Sequence, residues 1–286
     1  MTRQYTAAQI EDMNLQYSPR LTVPDADDYL QKSAEKSAEV RQKLNSTLDI
    51  SYGDTAGQKL DIFPAADKNA PVHVFIHGGY WRALDKDHYS HLAAPLVNAG
   101  ATTVLVNYDL CPAVRVSDIV KQVRRSIIYV HGAISDFNGD PDKLYVSGHS
   151  AGGHLAAMMI ATDWSASAGL DPQLIKGSVL LSGLFDIEPH RHLDIQADIN
   201  LTADEAREMS PMGWPAVVKS PVLLAVGEHE PNLFHWQSLA YAAHLRTNSV
   251  KAEYLSMSGD NHFSITDRLG NADDSLTQLI IAQMRL

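Results

Sequence analysis

The sequence predicts an α/β fold: a mostly parallel, doubly wound sheet of eight strands, with helices on both faces and an N-terminal helical arm. Three observations carry this. From about Leu48 onward, short runs rich in Val, Ile and Leu alternate with segments of helical periodicity, as in a sheet covered on both sides. Several of those runs are continuously apolar rather than alternating, which suits parallel strands buried on both faces. In the longest helical segment, Val120, Val123, Ile127 and Val130 recur along one helix face.

In chain order, strands are expected at Leu48–Tyr52, Lys59–Phe63, Val72–Ile76, Thr102–Tyr108, Lys143–Val146, Ser178–Leu181, Pro221–Val226 and Ala252–Met257. The first two flank the turn Gly53-Asp54-Thr55-Ala56-Gly57 and should form an antiparallel hairpin. Helices are expected at His88–Asn98, Val116–Ala133, Ala151–Thr162, Asn232–Thr247 and Ala272–Leu286. Residues 1–45 differ: they are polar, broken at Pro19 and Pro24, and carry one weakly apolar helix from Asp25 to Leu44. They read as a surface arm, or as a cap over the sheet's carboxyl edge, ahead of a domain spanning 46–286. A second non-sheet stretch, residues 184–215, also overhangs that edge. The sequence leaves open which segment covers it.

A chain of 286 residues holds one large α/β domain or two small ones, and 45% hydrophobic residues with 20% charged is an ordinary water-soluble composition. The net charge of −11 argues against nucleic acid and anionic membranes as partners. No apolar run approaches the roughly 18 residues of a membrane span, and Met1-Thr2-Arg3-Gln4-Tyr5 lacks the apolar core of a secretory signal. Cys111 is the only cysteine, so no intrachain disulfide forms. A cytoplasmic setting is the expectation.

The most informative stretch is Gly148-His149-Ser150-Ala151-Gly152, directly after the apolar run Leu144-Tyr145-Val146 and before a helical one. Glycines on both sides leave room for a sharp strand-to-helix turn, with Ser150 projecting its hydroxyl at the sheet's carboxyl edge. A serine hydroxyl needs a base within hydrogen-bond reach, itself oriented by a carboxylate. Two later strands end in suitable loops, Gly227-Glu228-His229-Glu230 and Gly259-Asp260-Asn261-His262. The order nucleophile, acid, histidine at strand ends assigns Ser150 as nucleophile and His262 as general base. Glu230, three residues past Gly227, is favoured as the acid over Glu228, Asp260 and Asp186. Asp260 sits too near His262 in the same loop to orient it. The loop His77-Gly78-Gly79-Tyr80-Trp81 follows the third strand and exposes backbone amides at close range. The amides of Gly79 and Tyr80, with that of Ala151, are the candidate oxyanion donors, and His77 is a brace for the loop.

His77-Gly78-Gly79-Tyr80-Trp81 and Gly148-His149-Ser150-Ala151-Gly152-Gly153, with Asn107-Tyr108-Asp109-Leu110-Cys111-Pro112 and Gln16-Tyr17-Ser18-Pro19-Arg20, resemble the α/β-hydrolase superfamily. Within it the chain is most similar to the kynurenine formamidase (arylformamidase) group, relatives of hormone-sensitive-lipase-like esterases. The resemblance implies the α/β-hydrolase fold and hydrolysis of a small acyl amide, foremost a formyl amide such as N-formylkynurenine, through an acyl-enzyme. It also implies that Tyr80 and Trp81 wall a tight acyl pocket, with Gly78 and His149 as neighbouring substrate-binding positions, and it admits a homodimer. One departure stands out: relatives commonly carry aspartate as the acid, and here both candidates in that loop are glutamates. A carboxylesterase for short-chain esters, or an amidohydrolase for another formamide, would use the same residues. A purely ligand-binding relative would be expected to lack one member of the triad. No cofactor is expected, since no G-x-G-x-x-G follows the first strand. Nor is a metal, because His88/His91 and His190/His192 lack the carboxylate and third histidine of a catalytic zinc site. Cys111 reads as packing.

Overall fold

The computed structural model describes residues 4–285. Eight strands, β1 (Thr47–Ser51), β2 (Lys59–Phe63), β3 (Ala70–Ile76), β4 (Thr102–Val106), β5 (Gly139–His149), β6 (Ile175–Leu181), β7 (Val222–Gly227) and β8 (Ala252–Met257), form one sheet. Its order is β1-β2-β4-β3-β5-β6-β7-β8. β2 runs antiparallel to both β1 and β4, and every pairing from β4 to β8 is parallel. The strand order reverses around β3: the chain steps to β4 on one side of it and returns to β5 on the other. A crevice opens at such a reversal, at the carboxyl ends of the strands. Here it lies between the loop after β3 and the turn after β5.

The helices are α1 (Ala7–Gln16), α2 (Pro19–Thr22), α3 (Ala26–Lys43), α4 (Ala93–Asn98), α5 (Val116–Ala133), α6 (Ala151–Ile160), α7 (Trp164–Ala168), α8 (Gln196–Ile199), α9 (Ala203–Glu208), α10 (Asn232–Thr247) and α11 (Ser275–Gln283). Strand alternation sorts the core into two layers. Val72, Val74 and Ile76 of β3 pack with Val120, Val123 and Ile127 of α5 and Leu155 of α6. Phe75, between them in sequence, faces the other layer with Leu96 of α4 and Leu276 and Ile280 of α11. Among the described residues no helix is long and apolar enough to cross a membrane.

The helix expected at His88–Asn98 is reduced to α4, preceded by two 3-10 turns, Lys86–His88 and Ser90–Leu92. The cause is α3. Arg41 Nη1 donates to the Asp87 carbonyl at 2.5 Å and Ser33 Oγ to the His88 carbonyl at 2.6 Å. Those carbonyls hold the arm in place instead of closing a helical turn. The strand expected at Lys143–Val146 is longer at both ends, and β4 stops at Val106, leaving Asn107 and Tyr108 in the loop beyond it.

Candidate active site

Ser150 stands between β5 and α6 with φ 56° and ψ −119°, a conformation costing about 1–3 kcal/mol for a residue with a side chain. The two flanking glycines make the turn possible. A Cβ at Gly148 would lie 2.2 Å from the Gly152 carbonyl oxygen, and one at Gly152 would lie 2.0 Å from that of Ile76. The Ser150 amide is fixed by the Leu181 carbonyl at 2.8 Å, and α6 starts immediately behind it.

The Ser150 hydroxyl lies 3.0 Å from His262 Nε2. On the far side of the ring, His262 Nδ1 lies 2.6 Å from Glu230 Oε2. Glu230 is held in turn: its Oε1 accepts from Ser182 Oγ at 2.5 Å and from the Gly227 amide at 2.7 Å. All three of Ser150, His262 and Glu230 are buried, so the chain of bonds runs in a low dielectric where each is strengthened. The ring of Phe234, at the start of α10, packs 4.7 Å from His262 and limits its movement.

The other carboxylates are engaged elsewhere. Glu228 is exposed and accepts from Ser258 Oγ and the Gly259 amide, both at 2.9 Å. Those bonds, the amide's first, hold its pKa below the usual glutamate value. Asp260 binds Arg268 and accepts from Ser264 Oγ, bracing the His262 loop from behind. Asp186 caps a turn by accepting from the Glu188 amide at 3.2 Å.

The glycine-rich loop after β3 turns through three successive positive φ values, 109° at Gly79, 56° at Tyr80 and 60° at Trp81. At Gly79 any side chain would collide, since a Cβ there would lie 1.9 Å from the Ala83 carbonyl oxygen. The amides of Gly79, Tyr80 and Ala151 make no hydrogen bond to the described residues. His77 braces the loop: its ring contacts the Gly78 carbonyl at 2.7 Å and Asn107 at 3.0 Å, and stacks on Tyr108 at 4.2 Å. Burial lowers its pKa to about 4, so the brace is uncharged at neutral pH.

Ser150 and His262 open into a cavity of about 410 Å³ lined also by Gly79, Tyr80, His149 and Phe263. Its outer wall comes from two segments. The N-terminal arm supplies Tyr17, Pro19, Arg20 and Leu30, and the stretch after β6 supplies Asp194, Ile195 and Asp198. Both overhanging segments therefore face the crevice. A larger groove of about 980 Å³ lies at the amino ends of β6, β7 and β8, away from this cluster.

Trp81 and Gly78 do not line the cavity as expected. Trp81 is fully buried behind the loop, where its Nε1 donates to His154 Nδ1 at 3.2 Å. His154 Nε2 then donates to the Met209 carbonyl at 2.6 Å, and burial lowers the pKa of that ring to about 4. Gly78 packs against the elbow, where a Cβ would sit 2.8 Å from the His149 carbonyl oxygen. The His149 ring lies 4.7 Å from His262. Burial first, then the neighbouring His262, push its pKa well below the ordinary histidine value. Cys111 is buried, which raises its thiol pKa to about 11, and such a thiol is not an active nucleophile. Ser182 and Phe234 escaped the sequence reading. Ser182 follows β6 at the edge where functional groups gather, a signal that could have singled it out, whereas Phe234 is ordinary helical patterning.

The prolyl oligopeptidase family profile matches residues 126–279, and the BD-FAE profile matches residues 60–177. Kynurenine formamidase of Danio rerio is 34% identical over 284 residues, covering 95% of each chain. That of Salmo salar is 32% identical over 278 residues, covering 94% of this chain and 92% of its own. A crystal structure from Silicibacter sp. TM1040 superposes with a TM-score of 0.84 at 27% identity, over 96% of this chain and 99% of that one. The elbow, the sheet order and these likenesses agree: the chain is an α/β-hydrolase and belongs to the kynurenine formamidase family.

Proposed function

We propose that this hydrolase removes a small acyl group, formyl foremost, from an aryl amide of the N-formylkynurenine kind, with Ser150, His262 and Glu230 as its catalytic triad. The observation that carries the reading is the unbroken chain Ser150–His262–Glu230 at the foot of a cavity of about 410 Å³. Ser150 Oγ attacks the formyl carbon while His262 Nε2 takes its proton, and Glu230 steadies the imidazolium. The oxyanion is received by the amides of Gly79, Tyr80 and Ala151 at the start of α6, where the helix dipole adds to their pull. Collapse breaks the C–N bond as His262 protonates the leaving amine. Water, activated by the same ring, then releases formate from the formyl-enzyme. The described part of the N-terminal arm, residues 4–45, acts as a cap together with the stretch after β6, keeping bulk water from the acyl-enzyme. The test is kcat/KM for N-formylkynurenine beside p-nitrophenyl acetate, each with Ser150→Ala as the blank. Preference for the formamide, abolished in the variant, supports the reading; turnover of the ester alone leaves a short-chain carboxylesterase.

A further inference from the structure

The floor and the mouth of the cavity differ in charge. Around Ser150 the walls are Tyr80, Phe263 and a histidine, His149, that burial keeps neutral. The mouth carries two cations and two anions, Arg20, Arg82, Asp194 and Asp198. Two of these are committed within the capping segments: Arg20 pairs with Asp27 at 2.5 Å, and Asp194 accepts from Asn14 Nδ2 at 3.3 Å. The side chains of Arg82 and Asp198 bind only each other among the described residues, Nη1 to Oδ2 at 2.7 Å. Arg82 lies three residues past Gly79 on the loop after β3, and Asp198 lies on α8 across the crevice. The pair is half exposed on both sides, so it contributes little to stability and opens at small cost.

Resting on the formamide reading, we propose that Arg82 and Asp198 form a clamp for an amino-acid zwitterion and so determine specificity for N-formylated aryl amino acids. The guanidinium receives the α-carboxylate through its fork of N–H donors, and the Asp198 carboxylate receives the α-ammonium. A substrate with both charges replaces one ion pair by two and leaves no charge unmatched. A fatty acyl chain or a neutral ester gains nothing from such a mouth, and a simple anion satisfies Arg82 but strands Asp198. The small uncharged floor and the zwitterionic mouth thus divide the substrate between them, the formyl group inside and the amino-acid tail at the entrance.

The experiment compares N-formylkynurenine with formanilide, which keeps the scissile aryl formamide and lacks the tail, in wild type, Arg82→Gln and Asp198→Asn. The expected result is a fall of about tenfold or more in the ratio of kcat/KM for N-formylkynurenine over formanilide in each variant, carried by KM. A second readout is the dissociation constant of kynurenine itself for the wild type, which should rise by a similar factor in both variants. Equal losses on both substrates, or none, overturn the clamp while leaving the formamidase intact. Wild type that hydrolyses neither formamide overturns the formamidase reading and the clamp with it. Wild type that prefers formanilide overturns the clamp alone.

Discussion

Six buried histidines make the fold itself sensitive to mild acid. Burial lowers the pKa values of His73, His77 and His154 to about 4 and that of His190 to about 3, and it lowers those of His149 and His91 as well. The ordinary value, taken up on unfolding, is 6.5. A ring whose pKa is depressed by folding contributes its full stability above the unfolded value and loses it as pH falls toward the folded one. Between about pH 6.5 and 4 the unfolded chain therefore binds more protons, and stability falls with acid at about 1.4 kcal/mol per pH unit for each ring. At pH 5 each of the four rings lowered to about 4 or below costs about 2 kcal/mol, so these four alone approach the whole stability of a typical domain. His88, whose pKa is raised by its hydrogen bond to Asp85, works in the opposite direction and returns part of one proton. Urea unfolding followed by tryptophan fluorescence between about pH 7.5 and 5 measures the slope, which at the acid end should correspond to the uptake of roughly four to five protons. In His154→Gln the slope should drop by close to one proton. A midpoint that stays level through this window, or an unchanged slope in the variant, refutes the reasoning.

Other outcomes follow from single contacts. Glu230→Gln should lower kcat/KM by about 10³–10⁴, because the tautomer and charge that steady His262 are lost; Glu228→Gln, whose parent carboxylate only ties Ser258 and Gly259, should stay within about twofold. Gly152→Ala drives a Cβ against the Ile76 carbonyl and should lower Tm by about 5 °C or more in a thermal scan. Trp81→Phe keeps a ring behind the loop but strips His154 Nδ1 of its donor, and should cost about 1–3 kcal/mol in urea unfolding.

The sheet and the elbow were legible because local chemistry fixes them. Apolar runs of strand length, bounded by turns and alternating with helix-periodic segments, point to strands of a covered sheet, and a serine between two glycines after a strand leaves few backbone solutions. His262 and Glu230 were legible for a topological reason, since consecutive parallel strands deliver their loops to the same edge. Trp81 was misread because its direction depends on a backbone sign that sequence does not display. Aromatic residues rarely adopt positive φ, yet Tyr80 and Trp81 both do, which carries the indole behind the loop to His154. The broken helix at His88 was hidden for the converse reason: the side chains that take its carbonyls come from Ser33 and Arg41, more than 40 residues earlier.

Glu230, which we propose as the triad acid, is positioned by the same kind of distant contact. The Glu230 amide closes a tight turn onto the Gly227 carbonyl at 3.0 Å, and its carboxylate folds back to the Gly227 amide at 2.7 Å. One oxygen is thereby spent on the turn and on Ser182, and the other is left for His262. The extra methylene lets one side chain serve its own loop and still reach the ring. An aspartate at this position, about 1.5 Å shorter, would have to abandon either the turn or the imidazole. Ser182 lies on the loop after β6 and Glu230 on the loop after β7, adjacent strands of the sheet. The hydroxyl therefore ties the Glu230 carboxylate to the neighbouring strand end as well as to its own loop, so its position is set by the sheet.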